Sequence, residues 1–185
     1  TTIPTYVEYA TQNLPPIEDL ENLFAPYWDN PSAFGFMLVG EEKDQMGFVH
    51  YRYKQTFRGV PIEFAELIVH TKNGFIYSWN GKIMDEVPAE GVQVLREEEA
   101  LQFALDYLGA DSYKWEIPEE EQFIKWESND PNATFYPKGE LRYIANSTSI
   151  KAQDVQLAFQ FNVYAHEPVG HTEIYVGAQD GQILF

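Results

Sequence analysis

Apolar and polar residues alternate most regularly between Gly47 and Gly81, and this pattern predicts three antiparallel strands. From Phe48 to Phe57, aromatic residues favour one parity and basic residues the other. A period of two is typical of a strand with one packed and one solvated face. Arg58-Gly59 and Asn73-Gly74 supply the turns, and Asn-Gly is a strong hairpin signal. The stretch therefore predicts a three-stranded meander.

The two tight turns also predict which residues face each other. In a hairpin with a two-residue loop, the numbers of paired residues have a constant sum. The predicted pairs are Tyr53–Phe64, Tyr51–Glu66, Lys54–Glu63, Ile68–Trp79 and His70–Tyr77. One face of the sheet would then gather large apolar side chains that a helix can cover: Tyr51, Tyr53, Phe64, Ile68, Tyr77 and Trp79.

The opposite face of this sheet would carry charged side chains, with Leu67 and Val69 among them. Lys54 and Glu63 would be direct cross-strand neighbours there. As an exposed ion pair, they would contribute well under about 1 kcal/mol. In the same register His50 and His70 fall far apart, so we expect ordinary surface or sheet histidines.

Two segments have the residue spacing of amphipathic helices, and a third has the composition of a short acidic helix. Ile17, Leu20 and Phe24 recur at intervals of three and four after a Pro-Pro pair, and Pro is favoured in the first turn of a helix. This helix is predicted to cover the aromatic face of the sheet. The other two helices are predicted over Arg96–Leu108 and Pro118–Trp126.

The second half of the chain repeats the combination of helix and strands. Val155–Ala165 alternates with period two, Ile174–Ala178 follows, and Asp180-Gly181 supplies a turn. We therefore predict an α+β fold of two modules, each an antiparallel β-sheet with a helix packed on one face. The modules would be joined near Val87–Gly91. Their predicted ranges are 1–87, with a core at 34–84, and 92–185.

Composition excludes several classes of function. The 185 residues carry 29 acidic and 12 basic side chains, for a formal net charge of −17. Nucleic acids and anionic membranes would repel such a chain, and no apolar run approaches the length of a membrane span. We therefore expect no nucleic-acid partner and no membrane insertion. The absence of cysteine excludes disulfides, thiolate chemistry and cysteine zinc sites.

The stretch from His166 to His171 is the most tempting candidate for a metal site. Peptidase zinc motifs place two His one helical turn apart, with Glu after the first. Here the two His are five residues apart, and Pro168 and Gly170 interrupt any helix between them. Neither a Gly-x-Ser-x-Gly elbow nor a phosphate-binding glycine loop is present. We predict no catalytic residue, no metal ligand and no cofactor, and therefore no enzyme activity in this chain.

The spacing of polar residues in the first half resembles a known family. The run His50-x-Arg52-Tyr53-x-Gln55-x-x-x-Gly59-Val60-Pro61, a strand ending at His70 and another ending at Asn80-Gly81 are similar to the fungalysin/thermolysin propeptide domain. That module lies in the prosegments of secreted zinc metallopeptidases. The resemblance assigns residues 1–87 to such a domain.

The second half resembles a PepSY domain. The residues that carry this likeness are Tyr175, Asp180 and Gly181, in a final strand and turn that follow one helix and earlier strands. One departure is Arg96, which stands at the helix start where relatives place Ser or Thr and which cannot accept the capping hydrogen bond. The order of the two modules is that of thermolysin-type prosegments.

The resemblance implies a function without chemistry of its own. It implies the propeptide of a secreted zinc metallopeptidase, acting as an intramolecular chaperone and inhibitor of the catalytic domain in cis. The alternative is a free-standing secreted or periplasmic PepSY-type binding module, or a protease inhibitor acting in trans. In both hypotheses the protein is secreted or periplasmic.

Two groups of residues are candidates for contact with the peptidase. An apolar C-terminal segment could occupy a peptidase cleft that prefers bulky apolar side chains. The basic side chains on one face of the first predicted strand could form polar contacts. These candidates are Ile183, Leu184 and Phe185, and Arg52, Lys54 and Arg58.

Overall fold

The computed structural model describes residues 3–87, 93–145 and 155–184. It has an α+β fold, as the sequence predicts. The chain divides into two compact units, Thr1–Ala89 with Tyr143–Val155 and Glu90–Arg142 with Gln156–Phe185. We name them unit 1 and unit 2. The predicted domain limits, 1–87 and 92–185, stay a prediction.

The described part of unit 1 contains an antiparallel sheet in the order β1–β5–β4–β3–β2. The strands are β1 (Tyr6–Glu8), β2 (Phe34–Lys43), β3 (Val49–Phe57), β4 (Val60–Lys72) and β5 (Phe75–Gly81). A parallel contact between Ile62 and Tyr143 adds the end of β7 (Glu140–Ala145) to β4. The predicted meander is therefore the centre of a larger sheet.

The register of β3 against β4 follows the prediction only beside the turn. Phe57 faces Val60, as a two-residue loop requires. Further on, residues 62–65 of β4 stand against Gln55 alone and form a large β-bulge. The bulge changes every later partner, so the predicted oppositions were wrong. Val69 faces Tyr51, Leu67 faces Tyr53 and Glu66 faces Lys54, in place of Tyr51–Glu66, Tyr53–Phe64 and Lys54–Glu63.

A smaller irregularity shifts β5 against β4. Lys72 faces Phe75, as the Asn-Gly turn requires, but His70 faces Ser78. The ladder changes register between His70 and Thr71. For this reason the predicted pairs Ile68–Trp79 and His70–Tyr77 were also wrong. In the structure Ile68 faces Asn80, and Trp79 faces Val69.

The bulges exchange residues between the two faces of the sheet. Leu67 and Val69, predicted for the charged face, are both 0% exposed. Phe64, predicted for the packed face, is 54% exposed and lies on the bulge with a φ of 64°. A positive φ is uncommon for a bulky residue and is accommodated here by the irregular strand.

The first helical segment covers the packed face, as predicted. Phe24 is completely buried, and its ring centroid lies 4.9 Å from that of Trp79 and 5.0 Å from that of Phe36. Aromatic contacts of this kind add about 0.5–1.5 kcal/mol beyond simple burial. The segment comprises a 3₁₀ turn at Ile17–Asp19, α1 (Leu20–Phe24) and a second 3₁₀ turn at Ala25–Tyr27.

A buried glutamine connects this sheet to the segment that follows it. The side chain of Gln55 is 0% exposed. Its Nε2 donates to the carbonyl oxygen of Met84 at 2.8 Å, and its Oε1 accepts from the Met84 N–H at 2.8 Å. The Trp28 Nε1–H donates to the same carbonyl at 3.0 Å. The side-chain amide of Gln55 thus pairs with both the N–H and the carbonyl of Met84, which lies beyond the last strand of the meander.

We expect Gln55→Ala to lower the free energy of unfolding of unit 1 by about 2–3 kcal/mol. The change leaves the buried Met84 N–H without its acceptor and opens a cavity. Urea unfolding would measure the loss. Gln45→Ala, at an exposed turn of the same unit, is the control and should change stability by less than about 0.5 kcal/mol. Equal effects of the two changes would contradict the role of Gln55.

Unit 2 combines a long hairpin with two helices. The β8–β9 ladder runs from Ala158–Gly177 to Ala165–Gly170, and α2 packs on β9. The apolar parity predicted for β8 is confirmed, because Leu157, Phe159, Phe161 and Val163 are all buried. The elements are α2 (Glu97–Leu108), β6 (Ser112–Tyr113), α3 (Pro118–Glu127), β8 (Val155–Glu167) and β9 (Gly170–Gly177).

The two helices of unit 2 differ in how they are held. At the start of α2, Glu99 supplies one half of a capping box, because its Oε2 accepts from the Arg96 N–H at 2.9 Å. Arg96 supplies no acceptor in return for the N–H groups of the first turn. The predicted acidic helix α3 is confirmed but contains no buried residue. Phe123 and Trp126 on α3 are 47% and 77% exposed. α3 is therefore a surface helix with two exposed aromatic side chains.

Glycine is required after β9 for two separate reasons. Gly181 has a φ of 75°, where side chains other than glycine are strained. A Cβ at this position would also lie 2.6 Å from Cε2 of Phe103. Gly109 at the end of α2 has a φ of 59°, but a Cβ there would meet nothing within 4 Å.

These two glycines allow backbone strain and steric overlap to be separated. Gly109→Ala should cost about 1–2 kcal/mol, because only the left-handed backbone is penalised. Gly181→Ala should cost about 1–3 kcal/mol more, because Phe103 must also move. Chemical denaturation of unit 2 would measure both values. The steric explanation fails if the two variants are equally stable.

Candidate functional site

The polar motif residues of unit 1 form a chain of contacts across the sheet. His50 Nδ1 and His70 Nδ1 are 2.6 Å apart, and the two residues face each other directly on β3 and β4. His70 Nε2 lies 2.9 Å from Asn80 Oδ1, and His50 Nε2 lies 3.4 Å from Asp44 Oδ2. The prediction that these histidines do not pair was wrong, because the bulge of β4 shifts His70 into register with His50.

The carboxylate of Asp44 anchors one end of this chain. Desolvation opposes its ionisation, but hydrogen bonds from the backbone N–H of Phe48, from His50 and from the backbone N–H of Met46 outweigh it and hold the pKa of Asp44 below its usual value. The carboxylate is therefore ionised at neutral pH and faces the His50 ring with a full negative charge.

The glycines and the proline of the motif shape the backbone. Gly59 occupies the turn with a φ of 80°. Gly81 packs so closely on β4 that a Cβ would overlap the carbonyl oxygen of Glu66. Pro61 is buried beside the turn, and Val60 is half-buried opposite Phe57. These residues maintain close strand contacts and present no reactive group.

Tyr53 and Arg52 of the motif point to opposite faces of β3. Tyr53 packs with its ring centroid 6.1 Å from that of Phe36. Burial, with further contributions from Tyr51 and Glu41, raises the pKa of Tyr53, so the phenol stays neutral. Arg52 is exposed and lines a shallow depression with Glu41, Glu42, His50 and Ile68.

The three predicted cationic contacts do not form one uniform stripe. Arg52 is exposed, whereas Lys54 is engaged with Glu63, with Nζ and Oε1 3.2 Å apart. Arg58 lies in the turn with its guanidinium 5.2 Å from the centre of the Phe57 ring. The role of these residues in docking stays a prediction, and Arg52 is the most accessible of them along β3.

Lys54 and Glu63 meet as predicted, but for a different reason and in a different environment. The bulge brings the two side chains together, although Glu66 is the residue opposite Lys54. The pair is not exposed, since the side chains of Lys54 and Glu63 are 25% and 9% exposed. Removal of the cation would therefore affect a carboxylate that is largely shielded from water.

We expect Lys54→Met to lower the free energy of unfolding of unit 1 by about 1–3 kcal/mol. This loss exceeds that of an exposed pair because the buried Glu63 carboxylate loses a neutralising partner. Lys43→Met, at an exposed position of β2, should cost less than about 0.5 kcal/mol. Denaturant titrations of both variants would make the comparison, and a negligible effect of Lys54→Met would show that the shielding is unimportant.

The C-terminal candidates are partly taken up by unit 2. Ile183 pairs with Val176, and the N–H of Leu184 donates to the Tyr175 carbonyl at 2.9 Å. Leu184 is 8% exposed. Phe185 lies outside the described residues. A role for this segment in a peptidase cleft stays a prediction. In that role the buried Leu184 would mainly hold the segment on unit 2.

The motif residues of unit 2 also have structural contacts. Tyr175 is buried, and its hydroxyl donates to Glu173 Oε1 at 2.8 Å. Asp180 Oδ1 accepts from the backbone N–H of Gln182 at 3.0 Å and thereby stabilises the turn in which Gly181 lies. The predicted turn at Asp180-Gly181 is present.

The segment from His166 to His171 joins β8 and β9, as predicted, but only Pro168 and Val169 form the turn, because the strands extend to Glu167 and from Gly170. His171 stacks on Tyr164 with ring centroids 4.1 Å apart. His166 Nδ1 instead lies 3.6 Å from Glu120 Oε1. Across residues 3–87, 93–145 and 155–184, no three side chains of His, Asp or Glu come together as metal ligands would. No helix in these ranges is long and apolar enough to cross a membrane.

Residues 35–83 match the family model described as the Fungalysin/Thermolysin Propeptide Motif. The matched region contains the His50–His70 pair, Gln55 and the Asn80-Gly81 end of β5. It is a propeptide motif, and it accounts for less than half of the chain. The likeness of the first half to this family, inferred from the spacing of those residues, is confirmed.

The similarity to known peptidases extends beyond this motif. The chain is 26% identical over 148 residues to Thermolysin of Alicyclobacillus acidocaldarius subsp. acidocaldarius, covering 80% of this chain and 24% of the relative. It is 27% identical over 159 residues to Bacillolysin of Bacillus amyloliquefaciens, covering 84% and 27%. The resemblance to thermolysin-type sequences is confirmed, and this chain spans about a quarter of the length of the curated relatives it matches.

An alignment of 148 residues is too long to lie within the first 89 residues of unit 1 and must continue into unit 2.

Among solved structures, the Bacillus megaterium YpeB C-terminal domain aligns with 98% of this chain and 70% of that chain. The identity is 12% and the TM-score is 0.33.

Proposed function

We propose that this chain is the prosegment of a secreted zinc metallopeptidase of the thermolysin type. It would assist the folding of the catalytic domain in cis and inhibit that domain until the two are separated. The observation that carries this proposal is the extent of the similarity, which covers 80% of this chain but only 24% of a thermolysin sequence. The propeptide motif at residues 35–83 supports the same function.

The second half of the chain belongs to the same proposal. We assign residues 92–185 to a PepSY-like domain that follows the propeptide domain, in the order typical of such prosegments. The long hairpin β8–β9 with α2 packed on β9 fits the helix-and-strand pattern that suggested this domain. Both modules would then contact one catalytic domain.

The physical basis of both activities is selective binding. A partner that binds the native peptidase but not its unfolded chain stabilises the native state in proportion to its affinity. The same binding inhibits the enzyme if part of the prosegment lies in the cleft. The motif residues described above are engaged in turns, strand contacts and hydrogen bonds, so this form of inhibition depends on occupancy and needs no chemistry from the prosegment.

The test measures inhibition and refolding with the same two proteins. The purified chain is added to the mature peptidase of its own precursor, and peptide hydrolysis is measured. The peptidase is also denatured and refolded with and without the chain. We expect slower hydrolysis and a higher yield of refolded enzyme. Failure of both effects would overturn the proposal.

A charge reversal can locate the docking surface in the same assay. Arg52→Glu should weaken inhibition roughly fivefold, because about 1 kcal/mol of favourable electrostatic contact is lost. Lys43→Glu reverses another exposed cation of unit 1 and should leave inhibition unchanged. A different result would favour the free-standing inhibitor acting in trans. In that case the chain would inhibit unrelated metallopeptidases and would not raise the refolding yield of any peptidase.

A further inference from the structure

The contact between His50 and His70 has a definite requirement for protons. The two Nδ1 atoms are 2.6 Å apart, which is a hydrogen-bond distance with no space for a water between them. A ring nitrogen either donates its proton or accepts through its lone pair. One Nδ1 must therefore carry a proton and the other must not, whichever ring holds it.

The charges around the pair come from several elements. Glu42 of β2 faces His50, and Asp44 contacts its Nε2. Arg52 lies two residues along β3 and lines the same depression. The Lys72 ammonium lies 5.1 Å from the centre of the Phe48 ring, which stacks on His50. On the other side, His70 meets the neutral side chain of Asn80.

These surroundings treat the two rings differently. The carboxylates of Asp44 and Glu42 lie on the side of His50, together with the cations of Arg52 and Lys72. His70 has no carboxylate among the contacts described for its ring, and its two nitrogens face His50 and Asn80. A fourth proton on the pair would place a positive charge on each ring, with the two Nδ1 atoms in direct contact.

We propose that His50 and His70 form a one-proton lock between β3 and β4, and that binding of a further proton in mildly acidic solution opens the lock and loosens unit 1. In the closed state the two rings hold at most three protons, one between the Nδ1 atoms and one on each Nε2. In the unfolded chain each ring is half protonated at about pH 6.5, so the two rings together hold three protons there and approach four about one pH unit lower.

The sign of the effect follows from this count. Below about pH 6.5 the unfolded state binds more protons than the locked state, so stability falls as the pH falls. If the chain is the prosegment proposed above, the lock would make its hold on the peptidase weaker in acidic surroundings than at neutral pH. This consequence rests on the proposed function, whereas the lock itself does not.

The first experiment follows the melting of each unit separately in the isolated chain. Methyl signals of buried Val69 and Val163 report on unit 1 and unit 2. We expect the midpoint of unit 1 to fall by about 4–8 °C more than that of unit 2 between pH 6.5 and 5.0, the range in which the unfolded rings hold more protons than the lock. His70→Gln should remove at least half of this additional fall.

His171→Gln is the matched control, since it removes an exposed histidine of unit 2 and should leave the acid sensitivity of unit 1 unchanged. The lock is overturned if unit 1 and unit 2 respond equally to pH in the unmodified chain, or if His171→Gln reduces the response as strongly as His70→Gln. A His70→Gln chain that does not fold leaves the comparison of the two units in the unmodified chain to decide.

A second measurement needs no variant. Long-range ¹H–¹⁵N spectra of the histidine rings should show one unprotonated Nδ1 in the His50–His70 pair at pH 7.5, and two protonated Nδ1 atoms only after the Val69 signal has changed. Two protonated Nδ1 atoms in an unchanged unit 1 would overturn the lock. If unit 1 shows the expected acid sensitivity but the chain neither inhibits the peptidase nor raises its refolding yield, the proposed function is overturned and the lock is retained.

Discussion

The arrangement of unit 1 depends on one buried amide. Gln55 supplies a donor and an acceptor to the backbone of Met84 at a point where no strand partner is available to that residue. Buried backbone groups need such partners, and without them the segment after β5 would have to reach water. The large bulge of β4 lies directly opposite Gln55. The hydrogen bonds of Gln55 and the irregular strand therefore belong to one arrangement, which the Trp28 side chain joins through the same Met84 carbonyl.

The elements of this fold could be predicted because their signals are local. The Asn-Gly turn, the period-two strands and the helical spacing of Leu20 and Phe24 depend on neighbouring residues, and all of them appear. Strand register is not local, since one bulge displaces every later pair. A signal for the bulge was present in β4, where apolar residues change parity between Ile62 and the run Ala65, Leu67 and Val69.

The candidate site shows the same division. The likeness to the family could be recognised from the spacing of these residues, and the match over residues 35–83 agrees with that likeness. Their contacts could not, because the meeting of His50 with His70 requires the bulged register. The burial of the Lys54–Glu63 pair was missed for the same reason. Most of the motif thus preserves an irregular sheet.

The distribution of tryptophan gives the two units different optical properties. Trp28 and Trp79 of unit 1 are 5% and 2% exposed, whereas Trp126 of unit 2 is 77% exposed. Trp115 of unit 2 is half-buried and stacks on Tyr113. Indole emission shifts to longer wavelength in water, so the short-wavelength component of the chain's fluorescence arises chiefly from unit 1. A red shift during denaturation would consequently report the opening of unit 1, while quenching by a soluble agent would act first on α3. The chain therefore carries an intrinsic spectroscopic label for each half.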